Sequence, residues 1–374
     1  MPLNVLMVSI DKGLLGRGQL GDVVQRHIAY GANSEVSRLD IIVLCVGAHQ
    51  QYSLSPKVTA YPTNSRTKLG YYRDALRLGL HLADQQRYDL VVTQEPFITG
   101  LVGLRLKQRV GAQLLVHHHG DFFQNPYWVA ERPLQHRLLQ AVARYVTRRA
   151  DAVRAMSQGI ADKMVRLGLP RRTVRVISTP VNLKTFTPSQ AARSSPVVLT
   201  VGRNDRAKDF PTLYRAIGLA GQRVGGFAFH QVGAAGVTEP SVRAAVGAAI
   251  AVQVTPRVDQ ADLAVRYQAC DVYVSSSAHE SFGKVLVEAN ACAKPVVATA
   301  TTGARDIVQD GVNGYLVPVG DAAALAEKIV YLLQHPDEAK AMGERGRKLV
   351  AERFDGRKNT EAIIQFWQDI VKGK

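Results

Sequence analysis

Apolar residues arrive in short bursts along this chain, separated by stretches with a helical rhythm. Residues 5–10 form the first strand-like run, followed by a glycine-rich loop and a helical pattern near 23–31. Further runs at 41–46, 90–93 and 114–117 are separated by helical stretches over 71–84 and 100–109. A long amphipathic stretch over 133–150 leads to a strand at 152–156, a helix ending near Gly168 and a strand at 175–177. Strand–helix alternation at this spacing predicts a parallel sheet covered on both faces.

The rhythm breaks once. Residues 178–188 carry Pro180 and Pro188 with no regular period, and 189–196 are polar, which marks a linker. Alternation then resumes, with strands at 197–201, 227–232, 252–255, 272–274 and 295–298. Helices are expected over 210–220, 241–250, 260–268 and 322–334. The expected α/β architecture is two doubly wound, Rossmann-like domains, 1–180 and 181–356, facing an interdomain cleft. A last helix over about 357–374 is expected to pack back on the first domain. A chain of 374 residues is too long for one core, and ligands of such sheets sit beyond the carboxyl ends of the strands.

With 46% hydrophobic and 21% charged residues, the composition is that of an ordinary globular protein. The longest apolar runs are strand-sized, far short of a bilayer span, and residues 1–10 read as a first strand, not a leader. Cys45, Cys270 and Cys292 are widely spaced in apolar contexts, which predicts buried thiols in a reducing, cytoplasmic setting and no metal site. The net charge of +16 is uneven. Residues 1–180 hold 24 Lys and Arg against 12 Asp and Glu, a net of +12; residues 181–374 hold 23 against 19, a net of +4. A basic first half implies an acidic partner: a membrane leaflet, a phosphorylated substrate or nucleic acid. A non-catalytic nucleic-acid-binding protein should carry a recognisable binding module or aromatic–basic interleaving on a sheet, and neither is visible. No nucleic-acid partner is expected.

Chemistry concentrates in Ala278-His-Glu-Ser-Phe-Gly-Lys-Val-Leu-Val-Glu-Ala289, where Glu280 and Glu288 stand with seven residues between them. An apolar strand, a serine-rich turn, one acid, then Ser281-Phe282-Gly283 and a helix start make a docking place for a phosphorylated ligand. Carboxylates repel phosphate, so the acids suit only the hydroxyl-rich part of that ligand. Hydroxyls and phosphate in one molecule suggest a nucleotide sugar. The second domain opens with Leu199-Thr-Val-Gly-Arg-Asn-Asp-Arg-Ala-Lys-Asp-Phe210, in which Arg203 and Lys208 flank a polar loop and suit a diphosphate.

In order and spacing, the Glu-x7-Glu, the following Ala-Cys-Ala-Lys-Pro-Val-Val, the Gly-Val-Asn-Gly turn and the opening Gly-Arg-x4-Lys resemble the retaining family 4 glycosyltransferases of GT-B fold. The resemblance covers nearly the whole second domain and runs more loosely through 88–92 and 115–123 of the first. It implies a hexosyltransferase that needs no cofactor and no metal. Glu280 would lie against the donor sugar and Glu288 would bond the ribose hydroxyls. Arg203 and Lys208 would hold the diphosphate and stabilise its departure, and Ser281, Phe282 and Gly283 would offer backbone amides. A histidine near the donor sugar's outer hydroxyl falls on His119, with His117 and His118 the alternatives one or two positions away. The loop Gly13-Leu-Leu-Gly-Arg-Gly-Gln-Leu-Gly21 would approach donor and acceptor through Gly16, Gly18 or Gly21. Two departures are Ala293 where glycine is common and Asp306 where glutamate is common.

Residues 133–149 place Arg137, Arg144 and Arg148 beside an apolar stripe, after the aromatic-rich loop 122–128. That combination fits contact with an anionic membrane surface, against the alternative of an ordinary amphipathic helix with its aromatics in the core. The expectation is a retaining transferase at the inner face of the cell membrane, moving sugar from a nucleotide donor to a lipid-linked or cell-envelope glycan. The alternative within enzymes is a nucleotide-sugar epimerase or hydrolase on the same scaffold.

Overall fold

The computed structural model describes residues 1–16, 22–189 and 195–373. The chain divides into two compact units. One comprises residues 1–124, 132–177 and 357–374, the other 125–131 and 178–356.

The first unit's strands are β1 (Leu3–Ser9), β2 (Val36–Val43), β3 (Tyr52–Ser55), β4 (Val58–Pro62), β5 (Leu90–Thr93), β6 (Gln113–His118), β7 (Ala152–Ala155) and β8 (Val174–Val176). They form one sheet in the order β3-β4-β2-β1-β5-β6-β7-β8, parallel except for the antiparallel pair β3–β4. β1 and β5 are buried nearly throughout, as strands covered on both faces must be. In chain order the helices begin with α1 (Val23–Ala32), α2 (Tyr71–Gln85), α3 (Ile98–Val110), α4 (Pro126–Glu131), α5 (Pro133–Thr147) and α6 (Gln158–Arg166). Ala75 and Leu82 of α2, Val102 and Leu106 of α3 and Val146 of α5 fill the core on one face of the sheet.

The other face is closed by α1 and by the chain's last helix. Residues 356–371 put Ile363, Ile364, Phe366, Trp367 and Ile370 into the same cluster as Val5, Met7 and Leu115. Tyr30 of α1 meets Trp367 edge-on at 5.5 Å between ring centroids.

The second unit holds β9 (Val197–Val201), β10 (Ala228–Val232), β11 (Ala251–Thr255), β12 (Val272–Ser275), β13 (Val296–Thr299) and β14 (Gly314–Val317). They make an all-parallel sheet in the order β11-β10-β9-β12-β13-β14. Its helices are α7 (Phe210–Arg223), α8 (Glu239–Val246), α9 (Gln260–Gln268), α10 (Lys284–Ala291), α11 (Ala304–Ile307), α12 (Ala322–Gln334) and α13 (Pro336–Arg353), and α14 is Gly356–Val371. The class is the expected one: two α/β units with parallel, Rossmann-like sheets. All three cysteines are buried free thiols. Among the described residues, no helix is long and apolar enough to cross a membrane.

Several elements differ from the sequence reading. The hairpin β3–β4 went unread because Tyr52-Ser-Leu-Ser55 is a half-exposed edge strand with no apolar run. The helix expected over 241–250 is α8, which ends at Val246 because Gly247 takes φ +101° and stops it. Residues 125–131, expected within the first domain, group with the second unit. Phe123 of the aromatic loop is buried, and Phe122 packs edge-on against Phe97.

Ala293, where glycine is common in the resembling family, sits in the left-handed region at φ +57°. An L side chain costs roughly 1–2 kcal/mol there. Ala293→Gly should therefore raise stability by about 1 kcal/mol in urea unfolding; an unchanged or lowered midpoint would refute that strain.

Candidate functional site

The site builds from three loops at the carboxyl ends of β9, β12 and β13. After β9 the chain makes the 3-10 turn Arg206–Lys208. After β12 it runs through Ser275, Ser276 and Ser277, all buried. The Ser276 hydroxyl donates to the carbonyls of Lys208 (2.7 Å) and Asp209 (3.1 Å), and the Ala278 amide donates to Ala207 O at 2.8 Å. The serine-rich turn is thus a clamp that fixes one loop against the other. From β13, the Thr299 hydroxyl donates to Ser277 O at 2.6 Å.

That clamp brings Lys208 and Glu280 together. Lys208 Nζ lies 2.7 Å from Glu280 Oε2, with the two side chains 16% and 23% exposed. The residue carrying the carboxylate is supported from behind, because the Gly303 amide donates to Glu280 O at 2.9 Å. Only glycine fits at 303, since a Cβ there would stand 2.5 Å from the backbone of Phe282. Next door, His279 Nε2 lies 3.1 Å from Glu131 Oε1, so α4 packs beside this loop within the second unit.

Gly283 caps α10 at φ +92°, a conformation glycine adopts without cost, and turns the chain so that the helix starts directly after it. Phe282 is buried and meets Phe354 edge-on at 5.6 Å. Ser281 is partly buried. Glu288, one turn into α10, is only 5% exposed, so it is no solvent-facing helix acid. Its Oε2 accepts a hydrogen bond of 3.0 Å from the Tyr267 hydroxyl, and its Oε1 lies 3.8 Å from Lys284 Nζ. Burial, and then the Glu288 charge, push the Tyr267 phenol well above its ordinary pKa, so it stays protonated and donating.

Arg203 does not join this group. Its side chain is 87% exposed and its Nη2 lies 3.4 Å from Asp205. Asp306 lies in the first turn of the short α11.

In the first unit, the three histidines separate by burial. His118 is fully buried, its Nε2 3.0 Å from Thr147 Oγ1, and burial lowers its pKa to about 3. His117 is 4% exposed, while His119 keeps a partly exposed edge, the two rings 5.5 Å apart. Both are held well below the ordinary histidine pKa, first by burial and then by the Arg154 charge, so both are neutral near pH 7. Gly16 closes the 3-10 turn Lys12–Leu15 at φ +80°. Gly18 and Gly21 lie outside the described residues. Among the described residues, no group of three or more His, Cys, Asp or Glu is arranged to hold a metal ion.

Sequence reasoning passed over Tyr267, Thr299 and Gly303 and read Ser276 only as part of a serine-rich turn, yet these residues aim the acids. The signal for Gly303 was present, a glycine in a strand-end loop. Nothing local in the sequence pairs Tyr267 with Glu288, 21 residues on.

Two family models match the chain. Residues 184–349 match "Glycosyl transferases group 1" and residues 23–180 match "Glycosyl transferase 4-like domain". A lipopolysaccharide core biosynthesis glycosyltransferase, LpsE, of Rhizobium meliloti is 30% identical over 227 residues, covering 58% of this chain and 64% of LpsE. A D-inositol 3-phosphate glycosyltransferase of Streptosporangium roseum is 30% identical over 277 residues, covering 67% of this chain and 62% of the relative. The chain thus spans less than two thirds of either relative's length. Among solved structures, a sucrose-phosphate synthase from Thermosynechococcus elongatus superposes with a TM-score of 0.85 at 23% identity, covering 99% of this chain and 100% of that one. HepE of Anabaena, solved with UDP-glucose, gives 0.75 at 20% identity over 97% and 98% of the two chains. At those identities the likeness is one of fold.

The buried Tyr267–Glu288 bond is testable by a double-mutant cycle. Tyr267→Phe leaves a buried carboxylate oxygen short of a donor and should cost about 1–3 kcal/mol. Glu288→Gln should cost less when Tyr267→Phe is already present than in the native protein, and strict additivity in urea unfolding would argue against the pairing.

Proposed function

The chain belongs to the group 1 glycosyltransferases of GT-B fold, and we propose that it moves a sugar from a nucleotide-diphosphate donor to a glycan or lipid-linked acceptor with retention of anomeric configuration. The observation that carries the donor half is the Lys208–Glu280 pair, fixed by backbone and hydroxyl contacts from three strand-end loops. An ammonium 2.7 Å from a carboxylate is the arrangement needed to hold a ligand that is anionic at one end and hydroxylated at the other. Lys208 faces the diphosphate and Glu280 the hydroxyls of the donor sugar. The first turn of α10, entered through Ser281, Phe282 and Gly283, adds backbone dipoles of the same sign as Lys208.

In the reaction, the bond from the anomeric carbon to the diphosphate oxygen breaks and a bond to the acceptor oxygen forms on the same face. The acceptor's proton leaves with the diphosphate. Charge grows on the leaving oxygens as that bond breaks, and Lys208 stabilises it most at the transition state. Arg203, long and exposed on the same loop, reaches the diphosphate once a donor is bound. Glu288 orients the ribose end through its buried pairing with Tyr267. His119 keeps the role implied by the resemblance, a neutral imidazole that bonds a sugar hydroxyl. The likeness to LpsE, a lipopolysaccharide core biosynthesis glycosyltransferase, supports an envelope glycan as acceptor.

The exposed face of α5 supports action at a membrane surface. Leu134 is 86% exposed, Leu138 67% and Tyr145 50%, on one stripe of a helix whose Arg137, Arg144 and Arg148 are also exposed. Apolar residues flanked by arginines suit an anionic leaflet on the cytoplasmic side.

Two measurements test these readings. Against a panel of nucleotide sugars, at least one donor should protect the native protein from thermal unfolding and be slowly hydrolysed. Glu280→Ala should lose the protection, and Lys208→Ala should lower kcat/KM by about 100-fold. Equal signals from native and variant proteins for every donor would sink the site, and an anomerically inverted product would sink the retaining assignment. For the membrane, co-sedimentation with phosphatidylglycerol vesicles should exceed that with phosphatidylcholine. It should fall about tenfold or more in Leu134→Ser/Leu138→Ser; binding indifferent to both lipid charge and substitution would rule the face out.

A further inference from the structure

A second concentration of charge lies in the first unit. His117 of β6 and Arg154 of β7 are register partners on adjacent parallel strands, so both side chains leave the sheet on the same face. That face is the one covered by α1, and α1 brings Arg26, His27 and Tyr30 to it. Arg154 is 3% exposed, with its Nε donating to Ile177 O at 2.7 Å and its guanidinium bonded to the Tyr30 hydroxyl. His27 Nδ1 donates to Val23 O at 2.6 Å, which leaves its Nε2 as an acceptor facing Met7 Sδ at 3.3 Å. Arg26 lies 3.9 Å from Asp22, with 18% of its side chain exposed, and the partly exposed His119 completes the rim.

His117 supplies the observation that points to a ligand. It is 96% buried, since only 4% of its surface is exposed, and its Nε2 has no hydrogen-bond partner among the described residues. An orphaned buried nitrogen beside a buried guanidinium is costly in the empty protein. The cost is recovered when an oxyanion enters: the imidazole donates from Nε2 and the guanidinium cancels the charge. The cluster also sits at the carboxyl ends of β6 and β7, where parallel sheets of this kind receive their ligands.

We propose that Arg154, His117 and Arg26 form a subsite for an oxyanion carried by the sugar acceptor, a carboxylate or a phosphate. The acceptor of this enzyme is then an acidic molecule, held by its anionic group so that a neighbouring hydroxyl is presented for transfer. The assignment to an acceptor rests on the glycosyltransferase reading; the subsite itself does not.

The test is calorimetric and thermal titration of the whole protein with two probes, inorganic phosphate and glucuronate, against chloride at equal ionic strength. At least one probe should protect the native protein beyond chloride. Phosphate alone marks a phosphorylated acceptor and glucuronate alone an acidic sugar. Affinity should fall about tenfold or more in Arg154→Gln, and several-fold in His117→Gln and Arg26→Gln. The last two keep the test valid should the buried Arg154 variant not fold. Protection should survive Arg203→Ala/Lys208→Ala, which removes the two cations proposed to hold the donor diphosphate. No protection beyond chloride, or protection lost only in that double variant, overturns the proposal. If the transferase reading alone is wrong, nucleotide sugars fail to protect while the oxyanion probes still bind.

Discussion

A carboxylate held largely away from water needs a cation beside it, and the strand-end loops of the second unit are arranged around that constraint at Glu280. Glu280 would repel phosphate on its own. With Lys208 Nζ at 2.7 Å it becomes half of a neutral pair, which in the function proposed above offers an acceptor to hydroxyls and a cation to phosphate. Everything around the pair serves to fix its geometry. The Ser276 hydroxyl holds the carbonyls at 208 and 209, the Ala278 amide holds 207, and Gly303 lets the β13 loop approach within hydrogen-bonding distance of the Glu280 backbone. At 303 the residue must be small, because a Cβ there would meet the Phe282 backbone at 2.5 Å.

What the sequence reveals and what it hides follow from the range of each interaction. The strand cores at 90–93, 197–201 and 272–274 were legible because burial on both faces demands unbroken apolar runs. Glu280, Lys208 and the helix start after Gly283 were legible because spacing along the chain already encodes them. The β3–β4 hairpin was not, since an edge strand open to solvent needs no apolar pattern. Nor was the departure of residues 125–131 to the second unit, which depends on contacts such as Glu131 with His279, 148 residues away. Glu288 is the intermediate case. Its position was visible, but its burial under Tyr267 was not, because a helix acid looks the same in sequence whether it faces water or a phenol.

The two units also differ in where they store charge. In the second, cation and acid neutralise each other across one loop contact. In the first, Arg154 and Arg26 lie near three histidines whose pKa values are all depressed by burial first. Histidines held neutral this way donate or accept without adding to the positive field, so the field there is set by Arg154 and by Arg26 with its neighbour Asp22, and the histidines change it little around neutral pH. The excess of basic residues in the first half of the chain is therefore partly internal, and only the remainder, on faces such as that of α5, is available to a surface partner.

The return of the last helix to the first unit has a consequence for how the molecule is made. Residues 1–177 leave the ribosome with one face of their sheet covered only in part, by α1, because Trp367, Ile363 and Phe366 complete that core and have not yet been synthesised. The whole of 178–356 emerges before they do. At roughly 5–20 residues per second of synthesis, the first unit waits on the order of ten seconds or more with the cluster around Val5, Met7 and Leu115 incomplete, while the second has every residue it needs to finish. The half of the chain that is translated first is thus the half that folds last, and during that interval its apolar face is the one a chaperone would find.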